Sequence, residues 1–357
     1  MCNSPKYICS ILPPHILKKM TESDLHRERA LRTIALTEHA RGRRSILGMM
    51  LGSVPTGTLR RTIYDAQTTE RLPGTFVRGE GDPETNDVAV TEAYEYSGNT
   101  YDFYQKVFGR NSVDNNGLRL DSTVHYSQQY DNAFWDGRQM IYGDGDGVLF
   151  NRFTLDLDVI GHELTHGVTQ NTAGLEYAGQ SGALNESMSD VFGTMVKQWV
   201  LWQSVEQADW LIGAGLFTTA VNGVALRSMK DPGSAYNDPQ IGKDPQPKFM
   251  KDYVNTTDDN GGVHINSGIP NYAFFLAATS IGGNVWEKTG KIWYETLTKR
   301  LSPKSDFQSA ADGTASAAGD LFGQNSNEQQ AVIDAWTRVG IKPASAPSIM
   351  KTLGAGN

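Results

Sequence analysis

Val159-Ile160-Gly161-His162-Glu163-Leu164-Thr165-His166 is the stretch whose reading decides this chain. It carries His-Glu-x-x-His, two imidazoles four residues apart with a carboxylate beside the first. On a helix, residues four apart lie one above the other on one face. Two imidazoles so placed can offer ring nitrogens to one metal ion, and Glu163 can reach a water at that ion. Ile160, Leu164 and Val168 form an apolar stripe on the same segment. His162 lies about 200° around the axis from Ile160 and Leu164, so one side can pack while the other faces a cleft. By itself the motif also fits a chance helix with two exposed histidines.

A catalytic zinc site needs a third protein ligand and an open position for water. Twenty residues after His166 comes Asn185-Glu186-Ser187-Met188-Ser189-Asp190. Glu186 and Asp190 share a helical face at i, i+4. Glu186 can complete a metal site with His162 and His166, while Asp190 accepts a hydrogen bond from a ligand imidazole and sets its tautomer. Taken alone, the pair reads as a solvated acidic face; beside His-Glu-x-x-His the ligand reading prevails. His264 follows a glycine loop, Asp259-Asn260-Gly261-Gly262, with Asp259 five residues upstream. A structural role suits an isolated His264 better, although Asp259 and His264 also make a reasonable oriented-imidazole pair.

With 357 residues the chain is long enough for two or three domains. A hydrophobic content of 39% and charged content of 20% exclude a disordered polymer. No apolar run reaches the 18 or so residues that span a bilayer, so no membrane partner is expected. No strongly basic surface, zinc-finger spacing or basic helix points to nucleic acid. The N-terminus lacks the pattern of a Sec-type signal peptide, Ile11-Leu12-Pro13-Pro14 interrupting the only candidate. The two cysteines, Cys2 and Cys9, lie at the extreme N-terminus, so no disulfide framework is expected.

Charge divides the chain. Residues 1–50 carry a net +5 against −8 for the whole, which gives a basic head on an acidic body. Residues 1–50 read as a separate head, 51–155 as a β-rich domain, 156–342 as a mainly helical domain and 343–357 as a loosely held tail. Within the head, Leu12-Pro13-Pro14 reads as extended, and a helix is expected from Glu22 to Arg41, ended by Arg41-Gly42-Arg43-Arg44. Short strands are expected at Arg61–Tyr64, Gly74–Arg78 and Val124–Ser127, and a helix over Val88–Phe108. Gly143-Asp144-Gly145-Asp146-Gly147 reads as a hairpin turn, since it lacks the full calcium-loop pattern. Further helices are expected at about 156–172, 183–202, 270–281, 284–301, 305–319 and 327–338.

The sequence resembles the thermolysin family of zinc metalloendopeptidases over most of residues 60–340. The resemblance rests on Asn132-Ala133-Phe134-Trp135, on His162 to Thr169, on Gly182 to Asp190, on Leu226-Arg227-Ser228-Met229 and on Asp259 to Gly268, in that order. It implies an α+β fold: a β-rich N-terminal domain, a mainly α-helical C-terminal domain, and the zinc-binding helix at the cleft between them. It implies one Zn2+ held by His162, His166 and Glu186, with Glu163 as general base. His264, oriented by Asp259, and Tyr177 would stabilise the oxyanion. Asn132, Ala133 and Trp135 would bind an extended peptide along a strand edge, and Arg227 would hold a substrate carbonyl. Phe150, Phe153, Val159 and Leu226 would line an apolar pocket, so that cleavage falls before large hydrophobic residues. The same four also read as core, and the two roles are compatible.

Two departures from the family pattern stand out. Asp158 and Asp209 fit a double calcium site, but Lys197, Leu211 and Ala214 stand where other ligands are expected, and Val224 weakens a further single site. A lysine ammonium cannot ligate calcium, so the double site is expected to be absent, with Lys197 supplying positive charge beside Asp158 or Asp209. The short head resembles that of the protealysin-like subgroup, whose Pro-Pro-x-x-Leu-like element Pro13-Pro14-His15-Ile16-Leu17 fits. Residues 1–50 are therefore expected to act as an inhibitory propeptide, docked partly by charge and removed between Ser45 and Arg60. Ile46, Leu47, Met49 and Leu51 suit self-cleavage. A Cys9 thiolate on the zinc finds no support in the spacing, and an unremarkable residue is the preferred reading.

The expected function is thus a zinc endopeptidase made as a short-propeptide zymogen. It would act as a monomer on peptide or protein substrates, outside the cell after export without a Sec signal, with the cytoplasm as the alternative location. The competing readings are a catalytically silent peptide-binding protein on the same fold and a zinc hydrolase of non-peptide substrates.

Overall fold

The computed structural model describes residues 9–47 and 57–344, with the backbone alone for 41–47. The interval 48–56, the tail beyond 344 and Cys2 lie outside the described residues. Most of the expected cleavage window therefore lies outside them, as do Met49 and Leu51, the side chains of Ile46 and Leu47, and most of the expected loose tail.

The N-terminal half is built on one six-stranded sheet. Its strands are β1 (Cys9–Ser10), β2 (Arg61–Asp65), β3 (Thr75–Gly79), β4 (Leu120–Val124), β5 (Ala133–Trp135) and β6 (Gln139–Tyr142), in the spatial order β1-β5-β6-β4-β2-β3. The head supplies β1, which pairs antiparallel with β5 in the register Cys9 to Trp135 and Ser10 to Phe134. The head then forms α1 (Pro14–Met20) and α2 (Arg27–Leu47). Extended backbone therefore ends at Pro13. Pro14 occupies the first helical turn, where its missing N–H costs nothing and its fixed φ suits the helix. α2 starts later than Glu22 and runs through Arg41-Gly42-Arg43-Arg44, because arginine favours helix and one glycine costs only about 1 kcal/mol. Ile11, Leu12, Ile16, Leu17 and Met20 are buried in the same apolar core as the body.

α3 (Val88–Phe108) packs on β2, β4 and the zinc-motif helix. Its start is fixed by Asp87, whose carboxylate accepts the Ala89 and Val90 N–H groups, and its end by Gly109 at φ 69°. The strand expected at Val124–Ser127 lies earlier, at Leu120–Val124, because His125 and Ser127 take positive φ. The 143–147 loop does not make a hairpin. Asp146 Oδ1 accepts the N–H groups of Val148, Leu149 and Phe150 and turns the chain away from β6 toward the second half.

That half is mainly helical. α4 (Leu157–Gln170) and α5 (Gly179–Leu201) form its base. Two short ladders follow, β7 (Leu211–Ile212) with β8 (Arg227–Ser228) and β9 (Asn237–Asp238) with β10 (Gly242–Lys243). Then come α6 (Asp259–Asn266), α7 (Gly268–Ile281), α8 (Thr289–Lys299), α9 (Phe307–Phe322) and α10 (Asn327–Arg338). No described helix is long and apolar enough to cross a membrane.

The crossing of α4 and α5 rests on two glycines. A Cβ on Gly161 would stand 3.1 Å from Gly193 Cα, and one on Gly193 would stand 2.5 Å from the Asp158 carbonyl oxygen. Backbone meets backbone there, which brings the histidines of one helix within reach of the carboxylates of the other.

Candidate active site

α4 carries His162, Glu163 and His166, and α5 carries Asn185, Glu186, Ser189 and Asp190; all are buried. The two His Nε2 atoms face each other at 3.1 Å. Glu186 lies 3.4 Å from His162 Nε2 through Oε2 and 3.5 Å from His166 Nε2 through Oε1. The far side of each ring is anchored. His162 Nδ1 donates to Asp190 Oδ1 at 2.8 Å, and His166 Nδ1 donates to Asn185 Oδ1 at 2.8 Å. With Nδ1 carrying the proton, each Nε2 lone pair points to a common centre.

Buried polar atoms are normally hydrogen-bonded, yet Glu186 Oε2 and Glu163 Oε1 accept no hydrogen bond. Two imidazoles and a carboxylate around such a centre match the donor set of a catalytic zinc site, so these residues fit the metal. Against the cost of burial, Asp190 and Glu186 push His162 up to about 9. Proton and metal therefore compete for the same nitrogen, and metal binding releases protons. Also against burial, His264, His166 and His162 hold Glu186 well below the carboxylate range. Glu163 behaves differently: burial raises it to about 8. Its Oε2 accepts the Trp135 N–H at 3.0 Å, which ties the carboxylate to the sheet edge.

Asp190 also accepts two hydrogen bonds from Arg227, each 2.8 Å, and one from Asn271 at 2.8 Å. Burial works against it, but Arg227 and His162 hold this carboxylate down at about 2. One carboxylate thus positions both a metal-facing imidazole and the guanidinium expected to hold substrate.

Across the cleft, α6 begins with an irregular loop. Asn260, Gly261 and Gly262 all take positive φ, which favours glycine and lets Asp259 reach back over the turn. Asp259 Oδ1 accepts from His264 Nδ1 at 2.6 Å and Oδ2 accepts the His264 backbone N–H at 2.9 Å. Asp259 and Glu186 overcome burial and raise His264 to about 9. Tyr177 OH lies 3.2 Å from His264 Nε2 and donates to Glu186 Oε1.

The head fills this cleft. Ile11 N–H donates to the Ala133 carbonyl at 3.2 Å and Leu12 N–H to Asn132 Oδ1 at 3.1 Å. The Ser10 carbonyl accepts from His264 Nε2 at 2.9 Å and the Ile11 carbonyl from Arg227 Nη1 at 3.1 Å. Asn132, Ala133, Arg227 and His264, four of the residues expected to meet peptide backbone, bond to backbone of this chain's own N-terminus. Trp135 pairs with Cys9 in the strand register and gives its N–H to Glu163. Phe150, Phe153, Val159 and Leu226 are buried in the core that also takes Ile11 and Leu12.

Several residues were missed from sequence. Asn185 was given no role, although it stands four residues before Ser189 and one before Glu186 on the ligand helix. Asn271 left no signal. Cys9, read as unremarkable, is buried with Tyr177 and Val263. Its sulfur, a His166 nitrogen and a Glu186 oxygen lie within 4.8 Å of one another. Pairing of β1 with β5 brings it there, and linear spacing cannot reveal a strand pairing. Lys197 stands between Asp158, at 3.0 Å, and Asp209, at 2.9 Å.

Fold and site together define a metallopeptidase, with a metal-binding helix at the floor of a cleft between a sheet-based half and a helical half. The thermolysin metallopeptidase catalytic domain matches residues 33–170, and the thermolysin metallopeptidase alpha-helical domain matches residues 173–341. An extracellular metalloprotease of Pectobacterium carotovorum subsp. carotovorum is 50% identical over 94% of this chain and 97% of its own length. Thermolysin of Alicyclobacillus acidocaldarius subsp. acidocaldarius is 43% identical over 78% of this chain and 50% of that protein. The precursor of protealysin from Serratia proteamaculans superposes with a TM-score of 0.85 at 51% identity, covering 93% of this chain and 99% of that one. The chain belongs to the thermolysin family and is a zinc metalloendopeptidase.

Proposed function

We propose that the chain is the zymogen of an endopeptidase in which residues 1–50 act as an intramolecular inhibitor, with Ser10 to Leu12 seated in the cleft. The observation that carries this reading is the seating of Ser10 and Ile11, whose carbonyls accept from His264 and Arg227. A zinc ion held by His162, His166 and Glu186 would supply the Lewis acidity that polarises a scissile carbonyl and lowers the pKa of water. Glu163 takes a proton from the attacking water and passes it to the leaving amine; a pKa raised by burial to about 8 suits such work near neutral pH. His264, oriented by Asp259, and Tyr177 donate to the developing oxyanion. Arg227 holds the carbonyl after the cut, and Asn132 and Ala133 hold the backbone. Ile11 sits where the residue after the cut would sit, which supports a preference for large hydrophobic residues there.

In this reading residues 51–155 and 156–342 form the two halves of the mature enzyme, a monomer. Lys197 stands in for a double calcium site. The relative named as an extracellular metalloprotease supports action outside the cell. The test is casein hydrolysis by protein freed of its first fifty or so residues. Activity lost to a zinc chelator and regained with zinc is the expected result. Metal binding without hydrolysis would favour a silent peptide-binding protein. Mass spectrometry of the mature N-terminus locates the cut.

A further inference from the structure

The seating of the head poses a chemical problem. Ile11 N–H, Leu12 N–H, the Ser10 carbonyl and the Ile11 carbonyl each meet a group expected to hold substrate. The Ser10–Ile11 bond therefore lies as a scissile bond would, with a large apolar residue after it. An enzyme of the proposed specificity should cut it, so something must keep the attacking water away.

We propose that Cys9 does so, as a fourth ligand on the metal in the uncleaved chain, its Sγ filling the position that catalysis leaves open to water. The inference rests on the reading of His162, His166 and Glu186 as the zinc site. Cys9 is one residue before the bond and pairs with Trp135, whose N–H is held by Glu163 Oε2. This pairing brings Sγ within 4.8 Å of donor atoms of His166 and Glu186. At the same metal site Glu186 Oε2 and Glu163 Oε1, both fully buried, accept no hydrogen bond. Cys9 is only 5% exposed, and Tyr177 and Val263 close over it. Thiolate is a strong zinc donor, and three nitrogen or oxygen ligands with one sulfur complete a tetrahedron of the closed, non-catalytic kind.

The exchange balances simply. As Sγ bonds to the metal, the thiol proton leaves to solvent and the water leaves the coordination position. When the head departs, the bond breaks, the thiolate regains a proton and water returns. Strand pairing holds the sulfur in place at high effective concentration, so removal of the head unlocks the metal and the groove in one event.

The experiment uses the full chain with Cys2→Ser and Glu163→Gln, which keeps the head attached, loaded with Co2+ in place of zinc. The expected result is one cobalt per chain and a near-ultraviolet thiolate-to-cobalt charge-transfer band. That band disappears in the same chain with Cys9→Ala, while cobalt stoichiometry stays at one. Cobalt binding with no such band in the Cys9 chain, or with the same band after Cys9→Ala, overturns the assignment of Cys9 alone. Failure of cobalt to bind either chain overturns the metal-site reading and this inference with it. A second measurement uses the chain with Glu163 intact and Cys9→Ser. Mass spectrometry should find a new N-terminus at Ile11, accumulating at least tenfold faster than in the Cys9 parent. Equal rates in the two chains overturn the protective role.

Discussion

Two polar clusters lie along the same pair of helices, about one turn apart on α4, and they treat charge in opposite ways. At the cleft end, His162, His166, Glu163 and Glu186 converge, and two carboxylate oxygens accept no hydrogen bond. At the far end, Asp158, itself 1% exposed, and Asp209 both receive the Lys197 ammonium, which also donates to the Leu211 carbonyl at 3.3 Å. The Asp158 Oδ1 atom accepts the Gly213 N–H at 3.0 Å. The first cluster keeps lone pairs for an ion. The second has its positive charge built in. A buried carboxylate needs a counter-charge either way, and the chain meets that need with a side chain where nothing has to exchange and with unpaired donors where chemistry is to happen.

The largest expected effect falls at the cleft end. Glu163→Gln should lower peptide hydrolysis about 10²–10⁴-fold, with zinc content unchanged by elemental analysis. An active Glu163→Gln enzyme would mean that the unpaired oxygen there is not the base. Asp190→Ala comes next. It strips Arg227, His162 and Asn271 of a shared partner, so unfolding free energy should fall by about 3–5 kcal/mol and zinc affinity by about 10–100-fold. Denaturant titration and competition with a chelator measure the two.

At the other end, Lys197→Met should cost about 3 kcal/mol, because Asp158 keeps its charge and loses its partner. Lys197→Glu sharpens the contrast: its melting temperature should fall without calcium and rise again with it. A calcium-independent Lys197→Glu protein would show that the far end is not a cation site with its ion replaced. Between the two ends, Gly193→Ala should cost about 2 kcal/mol, because the new Cβ meets the Asp158 carbonyl. Both clusters should loosen together, seen as weaker zinc retention and a lower melting temperature.

The smallest effect concerns the cover over the cleft. His15 donates to or accepts from Tyr236 at 2.7 Å and faces Asp259, His264 and Arg227. Burial, chiefly, lowers it to about 4. A depressed histidine favours the docked state fully above its free pKa near 6.5, and that contribution is lost as pH falls through 6.5 toward 4. The slope is at most ~1.4 kcal/mol per pH unit, one proton's worth. Thermal unfolding of the precursor between pH 7.5 and 5 should show this loss in the parent and a flatter profile in His15→Gln. The Lys197 end should contribute nothing to the difference.

Much of this was legible in the sequence, and the reason is period. α3 and α10 lie where apolar spacing put them, and the structure shows Asp87, Gly109 and Ser326 fixing their ends. His162, His166, Glu186 and Asp190 were legible because i, i+4 spacing on a helix is a statement about space. The long-range partners were less so. Asn271 reaches Asp190 across 81 positions and Arg227 reaches Ile11 across 216; no local rule couples them. Cys9 was discounted for the same reason, since only the pairing of β1 with β5 brings it to the metal-facing side. Charge is only one part of how the head sits on the body. Lys18 pairs with Asp258 where both are largely exposed, and such pairs contribute little. Arg29 does reach the buried Asp146 of the body at 3.4 Å, and backbone pairing with the burial of Ile11, Leu12, Ile16 and Leu17 holds the head beside it.

The register of β1 has a consequence for how such a chain can evolve. Leu12 and Asn132 are 120 positions apart, yet one reads the other's amide. The groove that would choose what the enzyme digests is also the groove that recognises its own head. If the head inhibits as proposed, a substitution that opens this groove to a new diet changes, in the same stroke, how firmly the newborn protein is kept silent. In such a zymogen residues 9–12 and the groove would have to change in step, or the enzyme would wake too early or not at all.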